Sequence, residues 1–259
     1  MILEGKTLVV TGVGSGLGSE IARAAVRDGA NVVLAARTQA TLEALAKQLD
    51  PRGERVAAVP TDIGDEAQCR ALAEAAVARF GRVDALAQVA ALDAVFGGLM
   101  EATAEDWRRV METNVIGSTQ MARAVAPHMK QRGGGSIVLI GSQSSFLPLV
   151  PQIAYASSKG ALRTAMYFMA KELGPDRIRV NTVVPTWMWG PPVEAYVSMQ
   201  AKQRGVAVEE IVAEITSGMP LGEVPRDEDV AEAVIFLASD RARMITGQHL
   251  LVNAGEHMP

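Results

Sequence analysis

The stretch VVTGVGSGLGSEIARAAV, Val9 to Val26, joins an apolar run to a helix-like run through a glycine-rich loop. Glycine lets a chain turn tightly and lets backbone N–H groups approach a pyrophosphate, and the N-terminus of the following helix adds partial positive charge. Glycine-rich loops also form ordinary turns, but this one lies between a predicted strand and a predicted helix. The stretch therefore predicts a dinucleotide site at Gly12, Gly16 and Gly18.

The rest of the chain repeats this alternation of short apolar runs and helix-like segments. Runs such as NVVLAA and IRVNTVVP lack polar alternation, which is typical of strands buried on both faces of a parallel sheet. Repeated strand–helix units joined with right-handed crossovers form a doubly wound sheet. We therefore expect an α/β fold, a single Rossmann-type domain over residues 1–259 with a parallel sheet of about seven strands.

One segment interrupts this alternation. Residues 186–220 lie between the sixth predicted strand and the last predicted helix, and the segment is too long to be a simple connection. We expect it to form a helical lid over a substrate pocket.

The composition narrows the class of protein. The net charge of −4, without a block of like charges, does not favour nucleic acid or an anionic membrane surface as a partner. No signal peptide or transmembrane run is evident, so a cytoplasmic protein is expected. The single cysteine, Cys69, excludes an intrachain disulfide, and the three histidines show no metal-ligand spacing, so no metal site is predicted.

The end of the second predicted strand bears on the choice of cofactor. A site for a free ribose 2′-hydroxyl usually has Asp or Glu about 20 residues after the glycines. Here Ala36 and Arg37 stand instead, and an arginine can bind a 2′-phosphate through charge-assisted hydrogen bonds. Arg37 can also be a solvated strand-end residue, and Ser15 supplies no second cation in the loop. The prediction is NADP(H), with NAD(H) as the alternative; Asp62, after the third strand, is positioned to reach the adenine.

The stretch YASSK, Tyr155 to Lys159, puts a phenol and an ammonium on one face of a predicted helix, because residues four apart share a face. Tyrosine alone is a poor acid, with a reference pKa of about 10. A neighbouring cation favours the phenolate and lowers that pKa. The pair is therefore either a tuned proton donor or two ordinary helix residues.

Five motifs, in order along the chain, resemble those of the short-chain dehydrogenase/reductase family. They are TGVGSGLG (Thr11 to Gly18), TDI (Thr61 to Ile63), NVIG (Asn114 to Gly117), IGS (Ile140 to Ser142) and YASSK. The resemblance covers nearly the whole chain. It implies an oxidoreductase that interconverts a secondary alcohol and a ketone with a nicotinamide cofactor.

The resemblance also implies catalytic roles for four residues. Tyr155 exchanges a proton with the substrate oxygen, and Lys159 binds the nicotinamide ribose and stabilises the phenolate. Ser142 hydrogen-bonds the same substrate oxygen, and Asn114 holds a water that links Lys159 to solvent. Ser142 can instead be a turn residue, and Asn114 can bond a backbone carbonyl at a helix kink. Catalysis is favoured because all four occur downstream of a cofactor loop.

Matching positions imply further cofactor contacts. With Arg37 and Asp62, the expected contacts are Gly12, Ser15, Gly16, Leu17, Gly18, Ile63, Ala90, Tyr155, Lys159, Pro185 and Met188. Two departures from the family pattern stand out. QVAA, Gln88 to Ala91, replaces the usual Asn-Asn-Ala-Gly turn, and Gly190 stands where a threonine usually contacts the cofactor phosphate.

Aromatic side chains cluster at the start of the lid segment. Because small-molecule pockets are mostly apolar, Trp187 and Trp189 are predicted to bind a bulky hydrophobic ketone or alcohol. Flanking prolines disfavour a helix there, so we expect an extended stretch with both indoles on one side, at least one facing the nicotinamide end of the cleft. Alternatively, the tryptophans pack the lid onto the body or onto another subunit.

Two other functions stay open, namely an NAD(H)-dependent alcohol dehydrogenase working oxidatively and a cofactor-binding family member without enzymatic activity. The expected partner is a small-molecule alcohol or ketone. The resemblance further implies a homo-oligomer, a tetramer or dimer built through the predicted helices Thr103–Lys130 and Gln152–Leu173. Thr103 and Asp106 have the spacing of a capping box, which predicts the start of the first of these helices.

Overall fold

Seven parallel strands form the centre of the protein, in a computed structural model that describes residues 1–258 except the side chain of Pro191. The strands are β1 (Thr7–Thr11), β2 (Asn31–Ala36), β3 (Val56–Pro60), β4 (Ala85–Gln88), β5 (Gly135–Ile140), β6 (Ile178–Pro185) and β7 (His249–Val252). Their order is β3-β2-β1-β4-β5-β6-β7, and each neighbouring pair is parallel. The predicted doubly wound α/β fold is confirmed.

Nine α-helices connect and cover these strands in the described chain. They are α1 (Leu17–Arg27), α2 (Gln39–Leu49), α3 (Glu66–Phe80), α4 (Ala104–Met111), α5 (Ser118–Gln131), α6 (Ile153–Leu173), α7 (Pro191–Arg204), α8 (Val208–Thr216) and α9 (Asp227–Ala238). None of the helices described combines the length and the apolar composition that crossing a membrane requires.

The core lies on both faces of the sheet because successive strand residues point to opposite sides. In β1, Leu8 and Val10 belong to the apolar cluster that includes α1, α2 and α9. Val9, between them, belongs to the cluster under α3, α5 and α6. This two-sided burial explains why the strand sequences lack polar alternation.

The strand order reverses direction at β1. This strand pairs with β2 on one side and with β4 on the other, so that Thr11 lies beside both Ala35 and Gln88. The connections that follow β1 and β4 lead to helices on opposite faces of the sheet, α1 and α5. Doubly wound sheets bind ligands at the carboxyl ends of the strands at such a point.

A π-helical turn interrupts the helix predicted over Thr103–Lys130. The capping box is present as predicted, because the Asp106 amide donates to Thr103 Oγ1 at 3.1 Å and Asp106 Oδ2 accepts from the Thr103 amide at 3.0 Å. However, α4 ends at Met111, and residues Glu112–Gly117 form a π-helix before α5 begins. The expectation of one continuous α-helix is wrong because the chain is widened here, around the buried Asn114. Such turns are frequent at functional sites.

Residues 186–220 form a loop followed by α7 and α8. The two helices are joined through Gly205, whose φ of +68° belongs to the left-handed region that favours glycine. Val197, Ala201 and Ile211 form a small apolar cluster of their own between these helices. The segment therefore has a core separate from the two clusters under the sheet.

Candidate active site

A cleft of about 1080 Å³ opens at the carboxyl ends of the central strands. One end is lined by the glycine loop and by the ends of β2 and β3, including Gly12, Arg37 and Asp62. The other end is lined by Ser142 and Tyr155. The topology thus brings motifs from opposite halves of the chain into one site.

The glycine loop packs too closely for side chains at two positions. Gly12 has a φ of +69°, and a Cβ there would lie 2.4 Å from the Ala90 nitrogen. A Cβ at Gly18 would lie 2.6 Å from the Gly12 carbonyl oxygen. The Leu17 and Gly18 amides, in the first turn of α1, donate to no other residue described. Free amides at a helix N-terminus are suited to a phosphate, so the loop fits a dinucleotide pyrophosphate.

Arg37 lies at the rim of the cleft and is exposed. It forms no salt bridge with the residues described. The neighbouring position 36 is alanine, so no carboxylate is present there to accept ribose hydroxyls. Asp62 also lines the cleft, and its Oδ1 accepts a hydrogen bond of 2.9 Å from the Gly64 amide. The ribose end of the cleft therefore offers a free cation.

Most of the expected cofactor contacts line the cleft. These are Gly12, Gly16, Leu17, Gly18, Arg37, Asp62, Ile63, Ala90, Tyr155, Lys159 and Met188, whereas Ser15 and Pro185 are not among the lining residues. The altered turn after β4 has its own hydrogen bonds. Gln88 Oε1 accepts from Thr11 Oγ1 at 2.8 Å, and Gln88 Nε2 donates to the Ala90 oxygen at 3.3 Å. A glutamine thus connects β1 to the turn where the family usually has an asparagine.

Tyr155 and Lys159 lie one helical turn apart in α6. Lys159 Nζ is 5.5 Å from the centre of the Tyr155 ring and donates a 2.8 Å hydrogen bond to the Ile140 carbonyl oxygen at the end of β5. The lysine is only 4% exposed. The ammonium is therefore fixed beside the phenol ring by the strand that leads to Ser142.

Burial changes the acid strength of both groups in opposite directions. Desolvation lowers the pKa of Lys159 to about 8, opposed by the charge of Asp93. Desolvation raises the pKa of Tyr155 to about 12, although the neighbouring Ser142 hydroxyl acts to lower it. The sequence predicted a lowered pKa for Tyr155. The pKa is raised instead, because the cost of removing the phenolate from water outweighs the effects of neighbouring groups. Tyr155 is therefore a protonated phenol at neutral pH.

Ser142 lies two residues after the end of β5, at the start of the short 3₁₀ turn Gln143–Ser145. Its hydroxyl accepts a 3.2 Å hydrogen bond from the Ser144 amide and lies 2.9 Å from the Ser144 hydroxyl. These contacts orient the side chain in the wall of the cleft that also contains Tyr155. Ser142 and Tyr155 can both reach one substrate oxygen placed between them.

Asn114 is fully buried in the π-helical turn and does not line the cleft. Its Oδ1 accepts from the Leu92 amide at 2.7 Å, and its Nδ2 donates to the Leu92 oxygen at 3.1 Å and to Ser158 Oγ at 3.0 Å. Both amide protons are therefore used within the protein. The side chain connects the loop after β4, the π-turn and α6, which resembles the kink role considered from the sequence. A water held by Asn114 stays a prediction.

Trp187 and Trp189 point to different surroundings. Trp187 lines the cleft, with its ring centre 5.2 Å from that of Tyr196. Trp189 is not a lining residue; its amide donates to the Pro225 oxygen at 2.7 Å, and its ring packs on the α7–α8 cluster. The expectation that both indoles share one side is wrong, because only Trp187 lines the cleft, whereas Trp189, whose backbone pairs with Arg226, packs on the lid helices.

The sequence did not predict a hydrogen-bonded cluster that supports two residues lining the cleft, Gln143 and Thr186. Glu256, near the C-terminus, accepts from Gln143 Nε2 at 2.5 Å and also from the Thr186 hydroxyl. Asn253 Nδ2 donates to Gln143 Oε1 at 2.7 Å. Gln143 follows Ser142, and Thr186 begins the loop before α7. These residues are far apart in sequence, and no local motif marks them.

The described residues include neither of two other features, a metal-binding group and a reactive cysteine. Residues 1–258 contain no group of three His, Cys, Asp or Glu side chains placed to bind a metal ion. Cys69 is buried in α3, and burial raises the pKa of its thiol to about 11, so the thiolate is disfavoured.

The chain is similar to a known protein family, to individual proteins and to solved structures. The family model described as enoyl-(acyl carrier protein) reductase matches residues 12–257. An uncharacterized oxidoreductase of Methylorubrum extorquens is 35% identical over 254 residues, which cover 98% of both chains. A solved structure of a short-chain type dehydrogenase/reductase from Mycobacterium ulcerans has a TM-score of 0.90 at 30% identity and covers 99% of this chain and 91% of that one. The chain belongs to the short-chain dehydrogenase/reductase family.

A dehydrogenase that is named for its substrate is also similar to this chain. D-threitol dehydrogenase of Mycolicibacterium smegmatis is 33% identical over 263 residues, which cover 98% of this chain and 93% of that protein. As a family member, the protein is an oxidoreductase that acts on alcohol or carbonyl groups with a nicotinamide cofactor. This assignment disfavours the alternative of a cofactor-binding family member without enzymatic activity.

Proposed function

We propose that this short-chain dehydrogenase/reductase is an NADP(H)-dependent enzyme that interconverts a secondary alcohol and a ketone on a bulky hydrophobic substrate. One observation carries the proposal: the glycine loop, Arg37, Ser142, Tyr155 and Lys159 all line a single cleft. A binding loop for phosphates and a proton donor in the same cleft are the two parts that hydride transfer to a ketone requires.

The chain's own residues supply the proton and the orientation. A bound nicotinamide cofactor would deliver or accept the hydride. In ketone reduction, the Tyr155 phenol donates its proton to the substrate oxygen while the Ser142 hydroxyl hydrogen-bonds the same oxygen. Lys159, charged below its pKa of about 8, stabilises the phenolate that remains. Because Tyr155 holds its proton at neutral pH, the arrangement favours its role as an acid.

Arg37 supports NADP(H) over NAD(H). A free guanidinium at the end of β2 can pair with a 2′-phosphate, whereas no carboxylate stands at position 36 to bind a 2′-hydroxyl. The runner-up, an NAD(H)-dependent dehydrogenase working oxidatively, shares all the other site residues. Measuring turnover with NADPH and with NADH distinguishes these two functions.

The walls of the cleft near Tyr155 support a hydrophobic substrate. The apolar and aromatic lining residues at this end are Leu92, Phe96, Leu147, Leu149, Val150, Trp187 and Tyr196. We assign the segment 186–220, with α7 and α8, as the lid of this pocket, and Trp187 as the indole that contacts substrate. Trp189 contributes by stabilising the lid.

We also propose that the chain forms a single domain and that it assembles into a homo-oligomer. One domain spans the chain, since the two main core clusters share a single sheet. Tyr167 and Phe168, exposed on α6, support a homo-oligomeric contact, either a dimer or a tetramer, through this helix. A cytoplasmic location stays a prediction from the sequence.

A substrate panel tests the proposal. Purified protein is incubated with alicyclic, aryl and small aliphatic ketones and with NADPH or NADH, and nicotinamide absorbance is followed. The expected result is NADPH oxidation that is fastest with bulky apolar ketones and absent in Tyr155→Phe. Faster turnover with NADH would favour the runner-up, and activity retained by Tyr155→Phe would contradict the assigned mechanism.

A further inference from the structure

A carboxyl group lies at the phosphate end of the cleft. Asp227, the first residue of α9, is a lining residue, and its Oδ2 is 3.2 Å from the position that a Cβ would take on Gly16 and 3.3 Å from that on Gly190. Gly16 belongs to the glycine loop, and Gly190 replaces the threonine expected to contact the cofactor phosphate. An acid therefore lies between the two segments that would flank a pyrophosphate.

The surroundings of Asp227 provide no cation paired with its carboxyl, and the preceding residue, Arg226, is exposed. Within the described residues, its side chain forms no salt bridge and no hydrogen bond. Neither the loop of residues 12–16 nor the segment of residues 186–190 contains a charged residue. On its own helix, Glu228 adds another negative charge.

Helix α1, which packs against α9, brings one further acid and two arginines that are already paired. Glu20 faces Asp227 and adds negative charge. Arg23 lies 3.3 Å from Glu20, and Arg27 lies 2.5 Å from Glu232 on the outer part of α9. Burial and these neighbouring acids raise the pKa of Asp227 to about 6.

We infer that Asp227 controls cofactor affinity by taking up one proton from solvent when a dinucleotide binds. The inference rests on the proposed dinucleotide site. A pyrophosphate beside the carboxyl favours the neutral acid, because like charges disfavour ionisation. The proton adds to a carboxylate oxygen on binding and returns to solvent on release. A site that instead had the family's usual threonine, a neutral hydroxyl, beside the phosphate would take up no proton there.

The pH dependence follows from linkage. Below pH about 6, Asp227 is already neutral in the free protein, so cofactor affinity does not change with pH. Above it, the proton must be taken from an increasingly dilute pool. The dissociation constant then rises by up to about tenfold per pH unit until the pKa of the bound state is reached.

Binding measurements on the whole protein test the inference. NADH is titrated by nicotinamide fluorescence between about pH 5.5 and 8.5, because it lacks a titrating 2′-phosphate. Calorimetry near pH 7.5 in two buffers of different ionisation enthalpy counts the protons taken up. If only NADPH binds, the comparison between the unmodified protein and Asp227→Asn cancels the contribution of the 2′-phosphate.

The variants make the outcomes distinct. Asp227→Asn should bind cofactor at least about threefold more tightly at pH 8, and it should lose the rise of the dissociation constant that begins near pH 6 and the proton uptake that belongs to this residue. Glu223→Gln removes the same charge at an exposed acid in the loop before α9 that does not act on Asp227, and it should keep the dependence of the unmodified protein. Cofactor binding without proton uptake in the unmodified protein, or an unchanged profile in Asp227→Asn, would overturn the inference alone. Failure of both cofactors to bind would overturn the proposed function together with it.

Discussion

Lys159 Nζ donates a 2.8 Å hydrogen bond to the carbonyl oxygen of Ile140, which connects α6 to the end of β5. Tyr155 lies one turn earlier on α6, and Ser142 lies two residues after Ile140. One buried contact therefore fixes the relative position of the proposed acid and of the hydroxyl that orients the substrate.

The charge state of Lys159 should change near pH 8. Because desolvation lowers the pKa of this buried lysine to about 8, the ammonium is present below that pH and is lost above it. A ¹³Cε NMR titration, assigned with Lys159→Met, should show the Lys159 midpoint near this value. Lys171, exposed on the same helix, serves as an internal reference. A Lys159 resonance that does not titrate until strongly alkaline pH would contradict the account.

The cofactor preference should depend on Arg37. Arg37→Ala should weaken NADP(H) binding by ~1.5–3 kcal/mol, the range for a hydrogen bond to a charged group, and leave NAD(H) nearly unchanged. Titration of both cofactors measures this. Arg52→Ala, an exposed arginine in the turn after α2, is the matched control and should change neither. Tighter binding of NAD(H) than of NADP(H) by the unmodified protein would reverse the preference.

The two lid tryptophans should behave differently. Because Trp187 lines the cleft, Trp187→Ala should raise KM for a bulky ketone more than for a small one. Trp189 packs on the α7–α8 cluster, so Trp189→Ala should lower stability without discriminating by substrate size. Tryptophan fluorescence should also change when cofactor binds and the lid closes. Equal effects of Trp187→Ala on large and small ketones would show that this indole is only a packing residue.

Glu256 should stabilise the part of the cleft wall that Gln143 and Thr186 form. Glu256→Ala removes the acceptor of the Gln143 and Thr186 hydrogen bonds, and we expect the free energy of unfolding to fall by about 1–3 kcal/mol. Denaturant unfolding measures the change. Glu223→Ala, an exposed acid in the loop before α9, should have little effect. If Glu256→Ala and Glu223→Ala had the same free energy of unfolding, Glu256 would have no such structural role.

Local spacing made much of the fold and site predictable. The glycine loop, the strand ends and the Tyr155–Lys159 pair depend on residues a few positions apart, and their geometry follows from the pitch of a helix or the turn after a strand. The seven-stranded sheet was predicted because each strand is buried on both faces and reads as an apolar run.

What the sequence did not reveal depends on contacts between distant segments. Asn114 bonds with Leu92, in a separate segment, from within a π-helical turn that interrupts a helix predicted to be continuous. The backbone of Trp189 pairs with the distant Arg226, and its side chain packs on the α7–α8 cluster and does not line the cleft. The position of Asp227 between two glycine segments and the upward pKa shift of Tyr155 both depend on burial, which no local pattern specifies.

The most direct test of the central claim, that Tyr155 is the proton donor, is Tyr155→Phe. The substitution removes only the hydroxyl, so the protein should bind NADP(H) with unchanged affinity in a fluorescence titration while ketone turnover falls by at least ~10²-fold, as for a lost general acid. Near-normal turnover in Tyr155→Phe, with cofactor binding intact, would contradict the account.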